Sequence, residues 1–166
     1  RRKTRQKALE NKRAEHTIVV KVVFRTKETH MLNDKHVVLL VDDDQEPLDL
    51  LEHYFERNDY ITKTAHSVVE AIQKLDDTLD LVVTDYELPI MSGSDLLIMI
   101  RQRFPKLPVI GISGLRFMNG NRIDQLFDAF LPKPFRINDL RESVARVILW
   151  ASGVGEPLTR ALSSAK

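Results

Sequence analysis

From His36 onward the chain repeats one unit: a short apolar run that stops at a polar residue, then a stretch with helical periodicity. Val37-Val-Leu-Leu-Val41 runs into Asp42-Asp43-Asp44, and Leu81-Val-Val83 leads to Asp85. Leu107-Pro-Val-Ile-Gly-Ile112 ends at Ser113, and Phe130-Leu131 leads to Lys133. Runs this short and this apolar are what strands buried on both faces show. Between them, helical spacing recurs: Leu48, Leu51 and Phe55 within Glu46–Arg57, then Val68, Val69, Ile72 and Leu75, then Leu96, Leu97, Ile100 and Phe104 within Asp95–Phe104. The series is completed by a more exposed strand over Tyr60–Ala65 and a short helix around Asn121–Phe127. A last helix, capped by Asn138, shows Leu140, Val144, Val147 and Ile148 on one face. Five strands alternating with five helices imply right-handed crossovers and a parallel sheet covered on both faces.

The flanks differ in kind. Residues 1–36 carry 11 Lys+Arg against 4 Asp+Glu and the remainder 14 against 20, so the net charge of +1 hides an acidic folded part and a basic arm. Residues 1–16 have almost no apolar face, the pattern of a solvated or disordered segment. Ile18–Phe24 has strand propensity but no pairing partner beside it, and Met31 stands six residues before the first strong strand. Residues 1–35 are therefore expected to be a basic extension, disordered or foreign to the domain. Residues 36–150 are expected to be the domain, and 151–166, with Gly153, Gly155 and Pro157, a tail or linker. A basic arm can bind nucleic acid, but solvation is the commoner reason for such a run, and no nucleic-acid role is expected through this chain. No apolar run approaches the roughly 20 residues of a spanning helix, so no membrane partner is expected. Zero cysteines exclude disulfides and thiolate metal sites, and a cytoplasmic location is the expectation.

In an open parallel sheet, ligands and chemistry gather beyond the carboxyl ends of the strands. Asp42, Asp43, Asp85, Ser113 and Lys133 would all stand at that edge. Carboxylates so close repel: a pair 4 Å apart costs about 4 kcal/mol at an effective dielectric near 20. A hard divalent cation relieves this, and carboxylates with carbonyls and water suit Mg²⁺. A hydroxyl and an ammonium at the same place suit a phosphoryl group. Phosphoryl transfer onto Asp85 is the reaction class these residues support together. Singly they say less. Asp42-Asp43-Asp44 alone reads as a solvated turn, Ser113 as a strand-end hydroxyl, Phe130 as core. The histidines at 16, 30, 36, 53 and 66 show no spacing for a metal site or for phosphotransfer.

With these residues in this order, the stretch 36–150 resembles the receiver domain of two-component response regulators. The matching parts are Val41-Asp42-Asp43, Asp85-Tyr-Glu-Leu-Pro89-Ile-Met-Ser-Gly93, Ile112-Ser113-Gly114 and Phe130-Leu-Pro-Lys133-Pro134. The resemblance implies a flavodoxin-like α/β fold: a doubly wound five-stranded parallel sheet of order 2-1-3-4-5. It implies a Mg²⁺ cofactor and Asp85 as acceptor of phosphate from a histidine kinase or histidine phosphotransfer protein. By the same resemblance Asp43 and Asp85 ligate the metal directly, with the backbone carbonyl of Glu87, and Asp42 acts through water. Lys133 pairs first with Asp85 and then with the phosphoryl oxygens. Ser113, a threonine in many members, bonds the phosphoryl group. Phe130 is the switch aromatic, and the Lys133–Pro134 bond is cis. Such a chain is no enzyme in the ordinary sense but catalyses its own phosphorylation and dephosphorylation. A downstream protein, or an output domain outside this chain, would read the face of helix four and the fifth strand, and a homodimer is compatible.

The sequence departs from the family at several points. Glu87 and Leu115 flank the path of an attacking water. The span from Ser113 to Lys133 is short, and the small residues common before the fifth strand are missing, so that face is expected to be unusual. Two other readings use the same residues. One is a phosphate-independent interaction module that keeps the fold. The other is an aspartate-nucleophile phosphatase, but that family wants a hydroxyl soon after a paired aspartate motif, where this chain has Glu46-Pro47.

Overall fold

The structure is a computed structural model and describes residues 35–115, 117–118 and 121–153. The expectations for residues 1–34 and 154–166 lie outside the described residues. In chain order the elements are β1 (Val37–Val41), α1 (Gln45–Arg57), β2 (Ile61–Ala65), α2 (Val68–Gln73), β3 (Leu81–Asp85) and α3 (Gly93–Arg103). They continue with β4 (Val109–Ser113), β5 (Phe117–Met118), β6 (Asn121–Arg122), a 3-10 turn (Ile123–Gln125), β7 (Ala129–Pro132) and α4 (Ile137–Ala151). Five strands form one parallel sheet in the order β2-β1-β3-β4-β7, the expected doubly wound order with β7 as its fifth strand.

The strands' apolar runs serve two cores because successive side chains point to opposite faces. Leu39, Val41, Val82 and Val109 lie on one face with Ala71 of α2 and Leu96 and Ile100 of α3. Val38, Leu40, Leu81, Val83, Ile110 and Ile112 lie on the other with Leu48, Leu51 and Phe55 of α1 and Leu140, Val144 and Val147 of α4. A strand buried on both faces needs no polar alternation, which is why β1, β3 and β4 read as unbroken apolar runs.

Three expectations are corrected. First, no α-helix occupies Asn121–Phe127. Among the described residues that connection is an antiparallel pair, Phe117 with Arg122 and Met118 with Asn121, followed by one 3-10 turn. The pairing leaves Asn119 and Gly120 between the strands, and Asn-Gly is the strongest short hairpin signal. Second, α3 begins at Gly93 rather than Asp95. Ser92 caps it, its Oγ accepting from Asp95 N at 3.3 Å while Ser92 N donates to Asp95 Oδ2 at 2.8 Å. Third, Asn138 lies inside α4 and does not cap it. The cap is Arg136, two residues earlier, whose N–H donates to Asp139 Oδ2 at the third helical position at 3.0 Å.

The sheet register sets the edge. Val41 pairs with Thr84, Asp85 with Ile112 and Ser113 with Pro132. Asp42 and Asp85 thus leave neighbouring strands side by side. Beyond them, Tyr86 N donates to Ile112 O at 2.8 Å and Lys133 N to Ser113 O at 2.8 Å, so pairing persists to the last site residue.

Candidate functional site

Four strand ends deliver the groups. Asp42 follows β1, Asp85 ends β3, Ser113 ends β4 and Lys133 follows β7. Carboxylate oxygens of Asp42, Asp43 and Asp85 lie within 4.8 Å of one another, Asp42 and Asp85 buried and Asp43 exposed. Lys133 Nζ donates to Asp85 Oδ2 at 2.6 Å and stands 3.7 Å from Asp42 Oδ2. Three carboxylates against one ammonium leave net negative charge, and all the donors are hard oxygens. That set fits a divalent cation such as Mg²⁺.

The backbone holds the carboxylates in place. Glu87 N donates to Asp85 Oδ1 at 3.1 Å and Asp44 N to Asp42 Oδ1 at 3.0 Å. Gly93 packs against the backbone of Asp85. A Cβ there would sit 2.4 Å from the Asp85 carbonyl oxygen, so only glycine lets the α3 N-terminus approach β3 this closely. The Lys133–Pro134 bond is cis, as the family resemblance implies.

Electrostatics in the pocket oppose each other. Burial pushes the Asp42 carboxyl up from its ordinary pKa, and the charges of Asp85 and Asp43 add to this, against the Asp44 N–H and Lys133, which pull it down. Burial would lower the Lys133 ammonium, but its hydrogen bond to Asp85 and the charges of Asp85, Asp42 and Glu87 outweigh that and hold it above the ordinary value. Lys133 is therefore a permanent cation at neutral pH.

Ser113 is fully buried, and its hydroxyl donates to Glu87 Oε2 at 3.0 Å. Phe130 on β7 is half-buried, its ring tilted against that of Phe127 with centroids 6.4 Å apart, and Phe127 itself lies across Gly111. Of the residues expected from sequence, Asp42, Asp43, Asp85 and Lys133 stand together, Ser113 is tied to the Glu87 side chain beside them, and Phe130 packs with Phe127 of the β4–β7 connection. Sequence reasoning missed what the Glu87 side chain does. Its partners Ser113 and Gly114 lie 26 and 27 residues on, across a strand, and only the position two residues past Asp85 drew attention to it.

Residues 38–145 match the sequence pattern of the response regulator receiver domain, and the chain belongs to that family. The family is the receiver module of two-component systems. Among relatives, the transcriptional regulatory protein CpxR of Escherichia coli is 37% identical over 116 residues, covering 66% of this chain and 47% of that protein. This chain spans about half the length, or less, of the curated relatives it matches. Among solved structures, a CheY-like receiver domain protein of Methanospirillum hungatei is 25% identical, covers 73% of this chain and 99% of that one, and gives a TM-score of 0.67. The response regulator TrrA of Thermotoga maritima, solved in complex with Mg²⁺-BeF, is 24% identical over 68% of this chain and 98% of that one at a TM-score of 0.60, and shares the fold.

Proposed function

We propose that residues 36–150 are a phosphoacceptor switch in which Asp85 takes a phosphoryl group from a histidine kinase or histidine phosphotransfer protein. The observation that carries this is the Lys133–Asp85 bond of 2.6 Å set within the three-aspartate cluster. The donor's P–N bond, or the P–O bond of an acyl phosphate, breaks as an Asp85 oxygen bonds to phosphorus, and the donor leaves with the electron pair. Lys133 then turns from Asp85 to the phosphoryl oxygens, and Ser113 donates its hydroxyl proton to another. Asp43, Asp85 and the Glu87 backbone carbonyl would hold Mg²⁺ directly, and Asp42 through water. When bound, the ion supplies charge neutralisation for the acceptor and the transferring phosphoryl oxygens. That TrrA, which shares this fold, is solved in complex with Mg²⁺-BeF supports a Mg²⁺ site here.

The switch would run from Ser113 to Phe130, moving the aromatic inward as the hydroxyl turns. The face that changes is built from the β5–β6 pair, the 3-10 turn and β7 rather than from a fourth long helix. A downstream protein, or an output domain beyond this chain, would read it, by itself or through a homodimer. The chain would work in the cytoplasm, with phosphoryl loss catalysed by the site itself and no direct contact with nucleic acid or membrane.

Acetyl phosphate with Mg²⁺ should add about 80 Da to the intact mass, the increment of one phosphorylation. Asp85→Asn should remain unmodified, and chelation should abolish the gain. No gain in the wild type beside a control receiver that gains it would leave the phosphate-independent module as the reading.

A further inference from the structure

The Glu87 carboxylate is engaged in a way the phosphoacceptor chemistry does not use. A single oxygen, Oε2, accepts from Ser113 Oγ at 3.0 Å and from Gly114 N at 3.1 Å. The Ser113 hydroxyl in turn accepts from Leu115 N at 2.8 Å, so its one proton is committed to Glu87. Both donors at the carboxyl end of β4 are thus filled by an anionic oxygen. They stand beside Lys133, whose backbone N–H is bonded to Ser113 O, and whose ammonium already feels the Glu87 charge. Carboxylate and phosphoryl oxygens are alike as acceptors: both are anionic and both favour charge-assisted bonds to N–H and O–H.

We propose that the Glu87 carboxylate is an internal occupant of the phosphoryl-oxygen site, holding Ser113 Oγ and the Gly114 N–H until a phosphoryl group on Asp85 displaces it. This rests on the phosphoacceptor reading above and adds a regulatory device to it. The Glu87 backbone is anchored, since its N–H is bonded to Asp85 Oδ1, while the residue itself is exposed. Only side-chain rotation is needed to open the site, and water can take over the carboxylate's bonds. Loading of Asp85 then competes with a tethered anion that never dissociates, so the tether raises the threshold for the switch. The position of Glu87 two residues after the acceptor makes the latch local to the loop that carries the chemistry.

Two explanations of a Glu87 effect differ in reach. A latch needs the full glutamate length, whereas simple repulsion of an incoming anion needs only the charge. Beryllofluoride, titrated at saturating Mg²⁺ into the wild type, Glu87→Ala and Glu87→Asp, separates them, followed by Trp150 fluorescence and the Gly114 amide resonance. The expected result is about tenfold tighter binding in both variants, the order of one net charge-assisted hydrogen bond. The Gly114 resonance of both should shift before any beryllofluoride is added. Equal affinity in all three would overturn the latch and leave Asp85 as acceptor. Tighter binding in Glu87→Ala with wild-type affinity in Glu87→Asp would also overturn it, in favour of through-space charge. If no form binds beryllofluoride and none gains mass with acetyl phosphate, the phosphoacceptor reading fails and the latch with it.

Discussion

Asp42 shows what a single residue gives up for a charged site. Its carboxyl is almost wholly buried and meets two like charges, and its pKa is raised, first by burial. A carboxyl raised in the folded state binds its proton more tightly there than in the unfolded chain. Its ionisation therefore lowers stability as pH rises from the ordinary carboxylate value through the raised one, and the cost persists at neutral pH. Asp42→Asn keeps the shape and an acceptor for Asp44 N–H while removing the charge. Its metal-free form should melt about 4 °C higher at pH 7, the shift roughly 1 kcal/mol gives a domain of this size. The gain should be accompanied by loss of the thermal stabilisation that Mg²⁺ is expected to confer on the wild type, read by the same melting curves with and without the ion. A metal-free Asp42→Asn that melts below the wild type would mean that the Lys133 and backbone contacts dominate instead.

At the scale of elements, the connection from β4 to β7 is where this chain is least like a regular alternation of strand and helix. A helix there would cover the sheet with its own apolar stripe. Here one ring does that work: Phe127 lies on the face of Gly111, close enough that a Cβ would come within 2.6 Å of it, and meets Tyr86 edge-on at 6.5 Å. The segment is also pinned at its end by Asp128, which accepts from Val109 N at 2.7 Å and pairs with Arg101 of α3. Gly111→Ala should therefore cost about 1–3 kcal/mol in urea unfolding, the range for an overpacked core. Replacing Phe127 by leucine in that background should recover part of the loss, and additive costs would show that the two positions do not share one contact. The hairpin signal was present in Asn119-Gly120. The apolar residues on either side also allow a short helix, and local pattern alone did not separate the two.

Over the whole domain, acid stability has a contributor far from the site. Burial would raise the Asp80 carboxyl, but the bond with His36 and the Val37 N–H win and hold it below the ordinary carboxylate value. A depressed carboxyl contributes stability that is present above its unfolded pKa and is lost as pH falls through the folded one. Asp80→Asn should lower stability at pH 6–7 and shrink the difference between that plateau and about pH 3, measured as urea midpoints. Because this pair is substantially exposed, the effect should weaken in high salt. The sequence by itself determined the five strands, the helices α1 to α4 between and after them, the parallel sheet and the five polar residues at its carboxyl edge, but not the β4–β7 connection. Each of these is written locally, in apolar runs that end at a carboxylate, a hydroxyl or an ammonium. Tertiary structure alone decided the register that sets Asp42 beside Asp85, the close approach that only Gly93 permits, the ring of Phe127 in place of a helix, and the bond of Glu87 to Ser113 and Gly114. Those depend on distances between residues far apart in the chain, which no local periodicity carries.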